Sequence, residues 1–495
     1  MTNVCGIFIF RRDLRIDDNL ALYLLSKKCN VIVPIFILDE NQIMINNKNR
    51  HYFSNNAVQF ICESLIDLNN KLIKHNSHLH LFLGKPEKIL DILCNKMYKT
   101  YNKIIIGFNT DFSNYAIKRD NKIKEIIKSY MTISSVPCNI GYIESDSDLT
   151  LRPLNELIKE DGNAFKQFGA FYKNSIKNEP LKPFKLKFNN FVEIKIPDEY
   201  DIKDLHKLYI DNPLLAQHGG RNECIKKLKN ISKFKDYNES RDKLSYTTTN
   251  LSAGLNMGCV SIREVYWIIR KKLTNKSIIL KQLYWRDFYL CAFNYLPNAK
   301  SYKVCIDPRY ELIKWSNTSN KETKDYWKKL IDGKTGFLMV DAGMNEMIKT
   351  GFLHNRCRMI IGVFWTKYLQ IHIHDQKYGS QCGFSKYLVD AIGPSQNKMN
   401  HHWVLDFDYP GKKFSAPNAP LSGRPMNISN KMIKKWDPEC IYIKRWLPHL
   451  SKLSNKEIYN WTGEINKKLS SIHPGPIFDP QIQYQKWIKA CHGIK

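Results

Sequence analysis

The 495-residue sequence lacks the features that mark membrane, secreted or metal-binding proteins. No apolar run approaches the ~18 residues that a membrane-spanning helix needs. The first apolar segment, Val4–Phe10, is too short for the core of a signal peptide. The 13 cysteines are scattered without one CxxC pair, which predicts reduced thiols rather than disulfides, zinc ligands or an iron–sulfur cluster. We therefore expect a soluble intracellular protein, in cytoplasm or nucleus, that holds no metal.

Acidic residues are also scarce. The chain has 47 Asp and Glu against 76 Lys and Arg, a formal net charge of +29. Such an excess is costly in self-repulsion and indicates a polyanionic partner, with nucleic acid the first candidate. The alternative is a Lys-, Asn- and Ile-rich composition that reflects an AT-biased genome. Hydrophobic residues make up 43% of the chain, enough to bury a sizeable core.

The N-terminal part alternates short apolar runs with segments of helical periodicity, which predicts a doubly wound α/β domain with a parallel sheet. The strands are expected at Val4–Phe10, Val31–Leu38, His78–Leu83, Lys103–Phe108 and Met131–Val136. The helices between them are expected at Asn19–Lys28, Asn56–Lys74, Pro86–Tyr98 and Tyr115–Tyr130. A glycine-rich phosphate loop is missing after the first strand, where Arg11–Arg15 stands instead, so a common dinucleotide site is not expected there.

The rest of the chain changes character twice. Residues 137–214 are rich in Lys, Pro and Asn and lack sustained periodicity, which predicts a linker between domains. From residue 215 to 495 the pattern is helical and aromatic, which predicts an all-helical domain. Its clearest helices are expected at Ser261–Lys272, Ile278–Asn294, Thr323–Ile331, Asp341–Thr350 and Arg356–Ile371. The α/β domain is accordingly expected to cover residues 1–136.

Four motifs in this order resemble those of the DNA photolyases and cryptochromes, above all the class I cyclobutane pyrimidine dimer photolyases. The motifs are Phe10–Leu22 at the N-terminus, Gln282–Tyr289, Thr335–Ile360 and Tyr442–Pro448. The resemblance covers nearly the whole chain. It implies a two-domain flavoprotein with FAD in the helical domain and, in many relatives, a second light-harvesting pigment in the first domain, a folate or a deazaflavin.

The resemblance also implies which residues hold the flavin. Those matching the pyrophosphate site are Tyr237, Thr248, Thr249, Leu251 and Ser252, with hydroxyl and backbone N–H groups suited to phosphate. The run departs from the family at Asn250, where an Arg is usual. Arg358 and Asp390 match a buried ion pair beside the flavin ring, and Asn397 matches the residue that faces flavin N5.

A second set of residues matches the surface that receives damaged DNA. Trp285 and Trp403 match the aromatic walls of a pocket for a flipped lesion, a use of aromatic contact known for base-flipping enzymes. Guanidinium groups suit phosphate contacts. The remaining positions that match this surface are Arg241, Gln282, Arg286, Asn355, Arg356, Met359 and Arg424.

Two further sites are expected from the resemblance. Asn109, Thr110 and Asp111 follow a strand end, a suitable place for the second pigment in an open sheet. The tryptophan relay that refills the flavin in most photolyases is expected to be broken. Trp315 matches its outermost member, but Ile373 and His401 stand at the middle and inner positions, and an aliphatic side chain cannot carry a radical.

We expect light-dependent repair of cyclobutane pyrimidine dimers by a monomer that binds UV-damaged DNA. Six-four repair needs proton transfer, which that family assigns to two histidines four residues apart; here these are Asn355 and Met359. His354 is adjacent, but one residue along a helix turns by about 100° from that face. The alternatives are a six-four photolyase, a cryptochrome-like photoreceptor that signals without repair, or a DNA-binding relic without photochemistry.

Overall fold

The N-terminal half of the computed structural model is a five-stranded parallel sheet of order β3-β2-β1-β4-β5. The structure describes residues 3–39, 43, 53–132, 139–295, 308–375, 378, 387–389, 428, 431–461 and 469–491. The strands are β1 (Val4–Phe10), β2 (Val31–Leu38), β3 (His80–Leu83), β4 (Lys103–Asn109) and β5 (Asn139–Ser145). All seven residues of β1 are buried, as expected for a central strand covered on both faces.

Four helices connect the strands and cover the sheet. They are α1 (Leu20–Ser26), α2 (Asn55–Ile73), α3 (Pro86–Met97) and α4 (Asn114–Thr132). The predicted α/β fold is therefore confirmed, and the first four strands and all four helices lie within two residues of their predicted bounds. Helix starts follow local chemistry: the Ser54 side chain accepts from the Ala57 N–H at the start of α2, and Pro86 opens α3.

The fifth strand is the exception, because the prediction at Met131–Val136 was wrong. Helix α4 continues to Thr132, and the strand that pairs with β4 is β5, at Asn139–Ser145. It is an edge strand in which only Ile140 is buried, so its sequence has too little apolar character to be recognised. The expected domain boundary at residue 136 consequently cuts one strand from the sheet.

The second half is helical. Its helices are α5 (Phe168–Ser175), α6 (Arg221–Lys229), α7 (Tyr237–Ser240), α8 (Ser252–Asn256), α9 (Ile262–Lys272), α10 (Ile278–Tyr295), α11 (Lys321–Ile331), α12 (Leu338–Thr350), α13 (Asn355–Val363), α14 (Lys431–Trp436), α15 (Ile441–Trp446), α16 (Asn455–Tyr459) and α17 (Pro480–Cys491). The long helix predicted at Arg356–Ile371 is instead α13 followed by a π-helical turn, Phe364–Tyr368. In the described part of the chain, no helix is long and apolar enough to cross a membrane.

The carboxyl ends of β1 and β4 are where ligands usually bind in such sheets, because the strand order reverses between them. The segment after β1 also joins the two halves of the chain. Leu14 N donates to the Met257 carbonyl at 3.1 Å, and Arg12 Nε donates to the Asn256 carbonyl at 3.0 Å. Gly258 has φ +65°, and a Cβ there would lie 2.2 Å from the Arg12 carbonyl oxygen, so only glycine allows this approach.

A buried ionic network ties the same junction. Arg15 donates to both carboxylate oxygens of Asp148 at 2.7 and 2.8 Å, and both side chains are 1% exposed. Arg263 of α9 donates to Asp18 at 3.0 Å and lies 3.5 Å from Asp148. Two arginines and two carboxylates, contributed by the sheet domain, the linker and the helical domain, thus neutralise one another out of water. Removing these charges from water is costly, so the network stabilises the fold only when all four partners are present.

We therefore expect Asp148→Asn to destabilise the protein strongly, since it removes the negative charge and one of the two acceptor oxygens that the buried Arg15 binds. Breaking a buried pair costs about 3–5 kcal/mol. The measurement is urea-induced unfolding of both proteins. Asp325→Asn is the control, because it removes an exposed i,i+4 pair with Lys329 and should hardly move the midpoint. Equal midpoints for the two variants would contradict the role assigned to the network.

Candidate functional site

The residues predicted to hold a flavin converge on one cavity of the helical domain, which we call the inner cavity. Tyr237 opens α7, Thr248, Thr249 and Leu251 form the turn before α8, Ser252 opens α8, and Arg358 lies in α13; all six line it. The opposite walls are mostly apolar. They consist of Leu255, Val265, Ile269, Ile279, Leu283, Phe352 and Leu353.

The turn before α8 is held by side chains that local sequence does not reveal. Gln217 donates to Ser252 Oγ at 3.3 Å and accepts from the Ala253 N–H at 3.1 Å. Lys227 of α6 donates to the Asn250 carbonyl at 3.0 Å, with Asn250 in the left-handed region at φ +48°. Lys227 thus brings a cation to the turn where the usual Arg is replaced by Asn250. No motif could identify it, because the two residues are 23 positions apart.

Arg286 was predicted to contact DNA, but the structure places it in the inner cavity. Its side chain is 10% exposed, and its terminal nitrogens donate to the carbonyls of Leu149 and Leu255. Its Nε is buried without a partner among the described residues. Burial lowers the pKa of Arg286 to about 10, so it remains a cation at neutral pH. Arg286 therefore lines the inner cavity and not the cavity that holds the other residues predicted to contact DNA, and its own contact with DNA stays a prediction.

These residues fit an anionic dinucleotide. The cavity offers hydroxyls, the buried Arg286 Nε–H and the Arg358 guanidinium, whose Nε donates to the Leu353 carbonyl at 2.8 Å. A buried donor that lacks a protein acceptor is costly, and a phosphate or a flavin carbonyl would satisfy it. The apolar wall suits flat ring systems. The predicted partner of Arg358, Asp390, and the predicted N5 neighbour, Asn397, lie outside the described residues.

A second cavity, which we call the outer cavity, opens next to the first. Tyr237, Thr248, Gln282 and Asn355 line both, so the two cavities are adjacent and share one wall. The outer cavity is also lined by Arg241, Asp242, Trp285, Tyr289, His354 and Arg356. It therefore brings together five of the residues predicted to face a DNA lesion: Arg241, Gln282, Trp285, Asn355 and Arg356. Trp403 and Arg424 lie outside the described residues.

Trp285 forms a rigid aromatic wall of the outer cavity. Its ring stacks on Phe168 with centroids 3.6 Å apart and planes 6° apart, and Tyr289 stacks on it at 5.7 Å. Phe168 belongs to α5, inside the segment predicted to be a linker. The Trp285 ring is thus fixed by its neighbours while it remains half-buried at the cavity. A fixed flat ring suits stacking against a base.

Arg356 is held in place at the rim. Its guanidinium binds both carboxylate oxygens of Asp242 at 2.8 Å, and NH1 lies 3.4 Å from Met359 Sδ. Burial alone would raise the pKa of Asp242, but the hydrogen bonds and charge of Arg356 outweigh it and lower that pKa. Met359 therefore lies beside the rim arginine. Asn355, the first residue of α13, is exposed to both cavities.

His354 does not point away from this space, contrary to the helical-wheel expectation. It is the N-cap of α13 rather than a helical residue, and its ring lines the outer cavity. Its Nδ1 accepts from the Arg356 N–H at 3.2 Å, which fixes that nitrogen as unprotonated. Burial, reinforced by the charge of Arg356, lowers the pKa of His354 to about 4. The ring is consequently neutral at physiological pH.

A third cavity, which we call the sheet-edge cavity, lies at the carboxyl ends of β1 and β4. Asn109, Thr110 and Asp111 line it as predicted, but their side chains already bond to Asp13, Ser145 and Arg12, respectively. Three N–H-bearing nitrogens of Arg11 and Arg119, which line the same cavity, are buried without partners in the described structure. Neither arginine was predicted to bind a ligand. Arg11 belongs to the Arg11–Arg15 run, which was used only to exclude a phosphate loop, whereas no motif singles out Arg119.

The structure describes some of the residues that match the tryptophan relay and not others. Trp315 is half-buried and contacts Trp487, with centroids 5.7 Å apart, while Ile373 is buried. Trp365 is fully buried and lies 5.7 Å from Trp327. His401 is not among the described residues, so the break in the relay stays a prediction.

The sheet domain, the helical domain and the inner cavity together define a two-domain flavoprotein. The family model described as DNA photolyase matches residues 7–185, and the model described as FAD binding domain of DNA photolyase matches residues 279–493. The chain belongs to the DNA photolyase and cryptochrome family and carries its FAD-binding domain.

Individual relatives do not separate the branches of the family. The chain is 26% identical to a (6-4)DNA photolyase of Oryza sativa subsp. japonica, covering 97% of this chain and 88% of that protein. It is also 26% identical to a deoxyribodipyrimidine photo-lyase of Alkalihalophilus pseudofirmus, with 98% and 97% covered. Arabidopsis thaliana cryptochrome-1 is again 26% identical, with 96% and 68% covered.

Solved structures agree with the fold. A photolyase from the archaeon Sulfolobus tokodaii, described with two FAD molecules and as implicating a novel light-harvesting cofactor, superposes with a TM-score of 0.79. It is 27% identical and covers 98% of this chain and 99% of its own. A bacterial class III photolyase from Agrobacterium tumefaciens gives a TM-score of 0.81 at 21% identity, covering 100% and 98%.

A buried carboxyl accepts from the backbone of His354, which lines the outer cavity, and this yields a prediction about pH. Glu346 of α12 accepts from the Tyr442 hydroxyl at 2.6 Å and from the His354 N–H at 3.4 Å. Burial raises the pKa of Glu346 to about 7 from 4.5. The folded protein then keeps a proton that the unfolded chain releases, so stability falls as pH rises from about 4.5 to 7.

Glu346→Gln should remove this contribution, because the amide keeps an acceptor for Tyr442 and does not titrate. The variant should gain up to about 3 kcal/mol relative to the wild type between pH 5 and pH 8, at ~1.4 kcal/mol per pKa unit. Urea unfolding of both proteins at four pH values measures the difference. A difference that stays constant with pH would show that Glu346 is ionised in the folded protein.

Proposed function

We propose that this protein repairs cyclobutane pyrimidine dimers in UV-damaged DNA by a light-driven reaction. The observation that carries the proposal is the position of Asn355 at the junction of the inner and outer cavities, with Met359 one helical turn behind it. A lesion in the outer cavity would meet the Asn355 amide next to the flavin, with the Met359 thioether behind it against Arg356. FAD, when bound and reduced, supplies the light-driven electron that opens the cyclobutane ring.

The side chains at this junction favour dimer splitting over six-four repair. Moving a hydroxyl between two bases needs a general acid at the lesion. Neither Asn355 nor Met359 can donate a proton near neutral pH. His354 is the one histidine among the described residues of the outer cavity, and it is neutral with Nδ1 already bonded to the Arg356 N–H. Cyclobutane splitting leaves no net proton to move.

The same cavity has the means to hold a flipped nucleotide. The fixed ring of Trp285 offers a stacking surface, and Arg241 and Arg356 lie at the rim, where phosphates of the strand would pass. Gln282 offers an amide in both cavities, able to donate to a pyrimidine carbonyl or accept from its N–H. The net charge of +29 favours association with DNA of any sequence.

The test is illumination of the purified, reduced, FAD-loaded protein with oligonucleotides that each carry one defined lesion. We expect the dimer to revert to two thymines, in single-stranded and duplex DNA, and the six-four product to remain. Asn355→Ala should still repair the dimer but bind it several-fold more weakly, since one hydrogen bond to a lesion is worth about 0.5–1.5 kcal/mol. Asn355→His with Met359→His should not acquire six-four repair, because the surrounding groups are unchanged.

Two outcomes would contradict the proposal. Light-dependent repair of the six-four product would assign the protein to that branch of the family. A flavin-loaded protein that bleaches in light but repairs neither lesion would favour a photoreceptor. Arg270→Gln is a matched control that should leave repair unchanged, because Arg270 pairs with the exposed Glu179 and neither side chain lines any of the three cavities.

We also propose that the sheet-edge cavity binds a second FAD as a light-harvesting pigment. The support is the set of buried, unpartnered Arg11 and Arg119 nitrogens, which require acceptors. Phosphate oxygens match guanidinium groups well. Burial, with repulsion from Arg119, lowers the pKa of Arg11 only to about 10, so its charge is retained. The Sulfolobus tokodaii relative, described with two FAD molecules, makes FAD the first pigment to test.

Reconstitution with excess FAD should accordingly give two flavins per chain, measured as flavin released on denaturation. Arg119→Gln should reduce this to one by weakening the sheet-edge site, while repair under direct flavin excitation continues. One flavin per chain in the wild type, or two in Arg119→Gln, would contradict the assignment. Retention of a folate by the wild type in place of the second flavin would contradict it as well.

A further inference from the structure

A cluster of metal-ligating side chains lies on the outer edge of the sheet, away from all three cavities. His80 opens β3, and His78 precedes it by two residues, so both side chains project from the same face. Glu199, 119 residues further along, lies opposite them. The backbone holds it there: Glu199 bridges to Phe82, and Tyr200 N donates to the Leu81 carbonyl at 2.7 Å.

The three side chains converge on one point. His78 Nε2 lies 2.9 Å from one carboxylate oxygen of Glu199, and His80 Nδ1 lies 3.0 Å from the other. One ligand atom from each residue lies within 4.8 Å of the others. In a tetrahedral site with bonds of 2.0–2.1 Å, ligand atoms are about 3.3 Å apart. An ion would therefore need the two N–O distances to lengthen by a few tenths of an ångström and the two imidazole nitrogens, within 4.8 Å of each other, to settle at about 3.3 Å, which rotation of the partly exposed His78 ring allows.

A fourth residue orients the exposed histidine. His78 Nδ1 lies 3.1 Å from a carboxylate oxygen of Glu193, so Nδ1–H can donate to Glu193 while Nε2, which faces Glu199, exchanges its proton for an ion. Carboxylates that bond the far nitrogen of a ligating histidine are the usual outer partners in metal sites. Access is from one side, because the side chains of His78 and Glu199 are 34% and 24% exposed while that of His80 is fully buried.

We propose that His78, His80 and Glu199 bind a Zn²⁺-like transition-metal dication, with a water molecule as the fourth ligand. Two imidazoles and one carboxylate are a ligand set that suits Zn²⁺. The ion would fasten the segment around Glu199, which crosses between the two domains, to the edge strand of the sheet. The expectation of a metal-free protein rested on the cysteines and could not detect this site, because Glu199 is distant in sequence.

The test uses the untagged, full-length, FAD-loaded protein, stripped with a chelator and then titrated with Zn²⁺ alone. We expect one Zn²⁺ per chain by elemental analysis after dialysis, and a higher melting temperature in its presence, since an ion that binds only the folded state stabilises it. His78→Gln and Glu199→Gln should each weaken binding by about tenfold or more, given that even outer partners contribute 10–100-fold. Both side chains are partly exposed, so we expect both variants to fold and their Zn²⁺ binding to be measurable.

His75→Gln is the matched control, because His75 contacts Asn189 nearby but is no member of the cluster. It should bind Zn²⁺ as the wild type does. Co²⁺ should give the visible absorption of a tetrahedral site in the wild type and not in His78→Gln. If the wild type retains no Zn²⁺, the proposal is overturned, and the cluster only holds the segment around Glu199 to β3 by hydrogen bonds. Equal affinity in His78→Gln and Glu199→Gln would overturn it too, by placing the ion elsewhere.

Discussion

The buried charges of Arg15, Asp148, Asp18 and Arg263 are the constraint on which the rest of the structure depends. Each of the two arginines belongs to a different domain, and Asp148 belongs to the segment between them. A charge without a partner is far too costly to bury, so the domains can dock only in the arrangement that pairs all four. That arrangement also places Arg12 and Leu14 against α8, on whose position the inner cavity depends.

The docked domains form a site in which the inner and outer cavities share one wall. The inner cavity is lined by hydroxyls, by a turn that Lys227 contacts and by the inward-facing Arg286, groups that suit a dinucleotide. The outer cavity adds a fixed aromatic ring and a rim of arginines. Asn355 belongs to both. The junction is polar, but Asn355 offers no acid, so in the proposed reaction the protein would contribute orientation and electrostatics rather than proton transfer.

Most of the fold could be predicted from the sequence because buried parallel strands and amphipathic helices carry strong periodic signals. Edge strand β5 could not, since one face of an edge strand meets solvent and its apolar pattern disappears. That contiguous motif residues, such as Thr248–Ser252, lie together on one cavity could be predicted. The direction of a side chain could not be predicted where it depends on tertiary structure: Arg286 faces the inner cavity, and His354 caps a helix instead of lying in one. Lys227, Arg11 and Arg119 depended on contacts that no single motif contains.

Helix α8 has a consequence for how light energy could pass through the molecule. Ser252 and Leu255 face the inner cavity, while Met257, directly after the helix, faces the sheet-edge cavity. The five residues of α8 span only about 7.5 Å along its axis. Two chromophores in these cavities would be separated by a short, hydrogen-bonded spacer anchored to Arg12. Resonance transfer of excitation depends on the separation and mutual angle of the chromophores. Both would then be set by the rigid geometry of this short helix and its contact with Arg12.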